Sequence, residues 1–103
     1  MSQSTFAGPK NLSPFGYQQI TSLSTSVAVA LTVPAPTNAV PATLALIQAE
    51  TQDVRWRDDS TDPTSSVGMV LAAGETLPYT GDLSKLKFIG TTAGATLNIS
   101  YYR

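Results

Sequence analysis

One stretch constrains the fold more than any other: Ile47-Gln48-Ala49-Glu50-Thr51-Gln52-Asp53-Val54-Arg55-Trp56-Arg57-Asp58-Asp59. It holds the single tryptophan, both arginines that precede the C-terminal one, and four of the seven acids. Val54 and Trp56 fall on one side of an extended chain and Arg55 and Arg57 on the other, because successive strand side chains alternate. That is a half-buried strand with a cationic outer face. The polar loop that follows, Asp58 to Thr64, leads into a second apolar run, Val67-Gly68-Met69-Val70-Leu71. Two strands joined by an acidic loop are expected here.

The same grammar recurs along the chain. Val27-Ala28-Val29-Ala30-Leu31-Thr32-Val33 alternates large and small residues and predicts a strand, which Pro34, Pro36 and Pro41 terminate. Tyr17 to Leu23 reads as a strand entry. Thr43 to Ala49 is ambiguous by propensity, but its short length and β-branched neighbours favour a strand. Ala72-Ala73-Gly74-Glu75 reads as a hairpin-type turn, with Gly74 at the position requiring positive φ. Pro78 marks Thr76–Tyr79 as an edge strand or bulge. Lys85 to Ile89 and Ala95 to Tyr102 alternate again. Leu86 and Phe88 are expected inward, as are Leu97, Ile99 and Tyr101, with Asn98, Ser100 and Tyr102 facing the other way. Turn signals about every 8–12 residues predict an all-β fold: a single-domain antiparallel β-sandwich or flattened barrel of roughly seven or eight short strands. An extended N-terminal arm, residues 1–16, is expected before the β domain, residues 17–103. Its Gly8-Pro9, Ser13-Pro14 and Gly16 break any period.

Composition narrows the chemistry. The chain has no cysteine and no histidine. Thiolate metal sites, disulfides and the histidine-based triad are therefore ruled out. Lys and Arg are few and scattered, so no basic stripe for nucleic acid is present. No apolar run approaches the ~18 residues that span a bilayer, and Met1 to Thr5 lacks the pattern of a signal peptide. Charged residues make up only 13% of the chain, against roughly a quarter in an average soluble domain. Such a surface is expected to be hidden against sister copies or another protein.

Asp58, Asp59 and Asp62 form the only acid cluster. Pro63 stands where an EF-hand needs glycine, so that loop is rejected. Capping of local amides, or ion pairs from Asp58 or Asp59 to Arg55 or Arg57, fits the cluster better. Glu50 with Asp53 or Glu75 is a weak glycosidase pair, since nothing in the sequence buries either acid. Trp56 and the tyrosines admit a carbohydrate-binding reading, although the phase of Trp56 with Val54 points to the core. No catalytic residue, metal ligand or cofactor is expected. The residues expected at an interface are Phe6, Leu12, Phe15, Tyr17 and Tyr102.

The run from Ile47 to Arg103 also resembles a recurring type of small tailed-bacteriophage virion structural protein. The resemblance is carried by Val54-Arg55-Trp56-Arg57-Asp58-Asp59, Pro63-Thr64, Val67-Gly68-Met69, Tyr79-Thr80-Gly81-Asp82-Leu83-Ser84, Lys87-Phe88-Ile89 and Leu97-Asn98-Ile99-Ser100-Tyr101-Tyr102. It covers a little over half of the chain. The Trp-Arg-Asp-Asp run with Val-Gly-Met is loosely similar to a segment of the lambda-type capsid decoration proteins, and no fold is carried over from that. The resemblance implies a non-enzymatic capsid decoration (cement) protein. Such a protein is made in the host bacterial cytoplasm and sits on the capsid surface as a homo-oligomer such as a trimer. Its partners would be the major capsid protein and itself, with no nucleic acid and no membrane. A head–tail connector, a tail or fibre-associated component and a carbohydrate-binding adhesion module are the alternatives.

Overall fold

The computed structural model describes residues 12–36, 38 and 40–103. Among the described residues eight strands form two antiparallel four-stranded sheets packed face to face. They are β1 (Pro14–Ile20), β2 (Val29–Ala30), β3 (Leu44–Glu50), β4 (Val54–Arg57), β5 (Met69–Leu71), β6 (Thr76–Tyr79), β7 (Lys87–Gly90) and β8 (Thr96–Tyr102). The first sheet runs β1-β8-β3-β6 and the second β2-β7-β4-β5. The β-sandwich expected from the spacing of turns is the fold.

Alternation in the long strands supplies the core. From the first sheet come Ala45, Ile47, Ala49, Leu97, Ile99 and Tyr101, and from the second Val54, Phe88 and Leu71. Leu83 and Leu86 close one end around a short 3-10 turn, Leu83–Lys85, which Asp82 caps by accepting from the Ser84 amide. Burying an aliphatic or aromatic side chain of this size contributes roughly 1.5–3 kcal/mol, and this one contiguous cluster holds the sheets together. Trp56 packs on its margin and meets the Tyr79 ring edge-on at 6.0 Å between centroids.

Several boundaries differ from expectation. β1 begins at Pro14, inside the segment read as an arm. A bulge lies between Pro14 and Gly16, so Phe15 is the extra residue. β1 ends before Leu23, where Ser22 takes φ 53. The alternating run Val27–Val33 forms only the two-residue β2. Side chains take its backbone groups instead: Ser24 Oγ accepts from the Ser26 and Val27 amides, and Gln18 Oε1 accepts from the Thr32 amide. The expected return strand shortens to Met69–Leu71, because Val67 pairs back to Thr64. The Ala72–Glu75 turn is tight, with Gly74 at φ 89, but it carries the chain from one sheet to the other and so is an arch, not a hairpin.

Candidate interaction surface

The register of the first sheet places side chains in rows across its outer face. Tyr17, Ser100, Leu46 and Pro78 stand side by side on β1, β8, β3 and β6. Gln19, Asn98, Gln48 and Thr76 form the next row. Tyr102 beside Leu44 and Thr96 beside Glu50 extend the face toward its two ends. Glu50 is the only charged residue in these rows. Tyr17 is 65% exposed.

Asn98 organises the face. Its Oδ1 accepts from the Tyr17 hydroxyl and from Gln19 Nε2, both at 2.8 Å. Its Nδ2 donates to Gln48 Oε1 at 3.3 Å and to Glu50 Oε1 at 2.9 Å. Two lone pairs and two protons are all that an asparagine side chain offers, so its capacity is filled. Two side chains of β1 and two of β3 are thereby held in fixed positions on either side of β8. A surface of Tyr, Ser, Thr, Leu, Pro and amides with one carboxylate has little charge to desolvate on contact, which suits a protein partner.

The outer face of the second sheet is different in kind. Arg55, Arg57 and Lys87 line it, and the Asp58–Gly68 loop folds back against it. Arg55 donates to the carbonyls of Ser65 (3.3 Å) and Gly68 (2.8 Å). Arg57 binds the Asp59 carboxylate through two nitrogens. This pairing holds Asp59 below the usual carboxylate range and raises Arg57. Lys87 reaches Asp62 at 3.1 Å, and Tyr79 donates to Asp58 at 2.6 Å. Each acid of the cluster is thus committed to a different partner, and the Arg–Asp pairing anticipated from sequence falls on Arg57 and Asp59. Among the described residues no group of three or more acids is placed to hold a metal ion. Burial, with Asp58 adding to it, pushes the Tyr79 hydroxyl up to about 12.

The carboxylates weighed as a glycosidase pair also have separate tasks. Glu50 accepts from Asn98, Asp53 from the Ala73 amide at 2.8 Å, and Glu75 from the Ala72 amide at 3.0 Å. Asp53 and Glu75 thus hold the Ala72–Ala73 turn, while Glu50 belongs to the Asn98 network.

The expected interface residues divide. Tyr17 and Tyr102 stand on the charge-poor face. Leu12 is 46% exposed just before β1. Phe6 lies outside the described residues. Phe15 is turned by the bulge onto the margin of the core, where it is partly buried, and the Arg103 guanidinium lies over its ring at 4.7 Å from the centroid. Sequence reasoning missed Gln19, Gln48 and Asn98 as a unit, because their meeting depends on strand register and no local pattern encodes it. It also missed the exposed apolar strip of Val67, Met69 and Val70, which are 51%, 60% and 52% exposed. Met69 there borders two shallow grooves of about 420 and 360 Å³.

Among the described residues no helix is long and apolar enough to cross a membrane. Comparison with protein-family models, with curated proteins and with solved structures gave no match.

Proposed function

We propose that this chain is a non-enzymatic structural protein of a bacteriophage virion, a decoration (cement) protein that coats and stabilises the head shell. The observation that carries the reading is the outer face of the β1-β8-β3-β6 sheet. It is nearly uncharged, carries Tyr and amides, and is fixed by the Asn98 network. The titratable side chains described above are engaged in capping turns and pairing with neighbours, so the surface offers contact area in place of reactive groups. In this reading the charge-poor face seats on the shell, with Tyr17 and Tyr102 as aromatic contacts and Leu12 beside them.

The mechanism is mass action. A protein that binds only the assembled shell shifts the equilibrium toward it, and many weak contacts on one particle act together. The carbohydrate-binding alternative drew on an exposed Trp56. That ring packs on the core margin against Tyr79, which leaves Tyr17 as the open platform.

The test is the copy number of this chain in gradient-purified virions that encode it, with the heat resistance of particles lacking it. A cement role gives copies on the scale of the major capsid protein and heat-sensitive particles without it. A count of six or twelve identifies a connector instead, and absence from the particle overturns the proposal.

A further inference from the structure

The Asn98 side chain is held in a way that contact alone does not require. A carboxylate can only accept, so the nitrogen of the Asn98 amide faces Glu50 and the oxygen faces Tyr17 and Gln19. Two donors, the Tyr17 hydroxyl and Gln19 Nε2, therefore converge on Asn98 Oδ1 at 2.8 Å each. The Glu50 carboxylate stands 2.9 Å from Asn98 Nδ2. Paired donors on a carbonyl oxygen stabilise the negative charge that builds there when a nucleophile adds to the carbon. A carboxylate beside the nitrogen is placed to carry protons to a departing amine. The amide is inert by itself in water, but it is surrounded as an acyl group about to be transferred would be.

The missing part is a nucleophile. Among the described residues the lysines are Lys85, in the 3-10 turn, and Lys87, on the second sheet, so neither stands on this face. Glu50 is the only charge in its rows, and no cation of the described residues pairs with it. A carboxylate covered without a cation is costly, so the covering surface is expected to supply one. Lysine is the cation that can also attack. Its ammonium gives up a proton more readily once a contact desolvates it, whereas arginine stays charged.

We infer that Asn98 is the acceptor of a covalent cross-link, joined through its side-chain carbonyl to a lysine of the protein surface that covers this face. The inference rests on the proposed function and adds a bond to its contact. Glu50 takes a proton from the lysine ammonium, and the amine lone pair adds to Asn98 Cγ. The carbonyl electron pair moves onto Oδ1, between Tyr17 and Gln19. When it returns, the Cγ–Nδ2 bond breaks. Two protons in all leave the lysine nitrogen, and Glu50 relays them to Nδ2, which departs as ammonium. One carbon–nitrogen bond forms and one breaks, and nothing is oxidised or reduced.

The test adds purified chain to virions that lack it and boils samples in detergent over time. Bound and cross-linked chain are quantified, and the digested product is mapped by mass spectrometry. Wild type is expected to yield chain that stays joined to a second protein. Its branched peptide should have the mass of the Asn98 peptide plus a lysine peptide, less one ammonia. Glu50→Gln keeps an oxygen for Asn98 Nδ2 but cannot carry protons, so cross-linking per bound chain should slow about 100-fold. Tyr17→Phe removes one of the two donors and should slow it about tenfold or more. Wild-type chain that binds the particle yet is released whole overturns the inference and leaves the proposed function standing. Cross-linking that Glu50→Gln does not slow also overturns it, as does Asn98 recovered only as aspartate, the product of attack by water. Wild-type chain that does not bind removes both readings. Where a variant fails to bind, the wild-type product alone decides.

Discussion

Replacing Asn98 by Asp changes one atom of the network and inverts its chemistry. The Nδ2 that donates to Gln48 Oε1 and to Glu50 Oε1 becomes a carboxylate oxygen facing two acceptors. Two hydrogen bonds disappear, one of them to a charged group; neutral bonds contribute about 0.5–1.5 kcal/mol net and charged ones more, with exposed sites at the low end. Two carboxylate oxygens near 3 Å add a repulsion of about 1.4 kcal/mol at the dielectric of water and more where the sheet excludes it. The new side chain can swing outward, which caps the loss at about 2 kcal/mol at pH 7 and releases Tyr17 and Gln19 as it does so. Two carboxylates this close favour taking up a proton between them, which removes the repulsion, so the deficit should shrink as the pH is lowered from 7. Urea unfolding of wild type and variant at pH 7, 5 and 3 reads this directly, with equal m values showing that the denatured state is unchanged. A variant as stable as wild type at pH 7, or a deficit that does not depend on pH, would refute the network.

Two further expectations follow from the geometry. Gly68 sits at φ 141, and a Cβ there would stand 3.2 Å from Arg55 Cβ, Pro63 Cβ and the Trp56 carbonyl oxygen, so Gly68→Ala should cost about 2–3 kcal/mol in chemical denaturation. Burial pushes the Tyr101 hydroxyl up to about 12 from its ordinary 10. The folded state then holds its proton after the unfolded chain has lost it, so this stabilisation is complete below pH 10. It should decline by about 1.4 kcal/mol per pH unit from there toward 12, with ultraviolet titration showing this tyrosine ionising late.

Much of the fold was legible in the chain because β3, β7 and β8 are driven by burial. Ala45, Ile47 and Ala49, or Leu97, Ile99 and Tyr101, leave one choice of inner face, and the structure takes it. Where side chains compete for the backbone, the pattern misleads. Val27–Val33 alternates as cleanly as any strand, yet Ser24 and Gln18 occupy its amides and only two residues pair. Phe15 follows no period in a segment broken by proline and glycine, and only a bulge, visible once β1 meets β8, sets its direction toward the core. The surface was legible only in part. Tyr102 faces outward, as the phase of the last strand required. Asn98 shared that phase, but its partners lie roughly 50 and 80 positions away and are fixed by register across three strands.

The central claim is that the nearly uncharged sheet face is what holds this chain to a particle. Leu46, between Ser100 and Pro78 on that face, offers the most direct probe. Virions assembled with wild-type or Leu46→Glu chain are purified by density gradient and the retained protein is quantified, with circular dichroism confirming the folded state of the variant. The expected result is dense occupancy by wild type and loss of the folded variant from the particle; equal retention of both, or no wild-type chain on the particle, would contradict it.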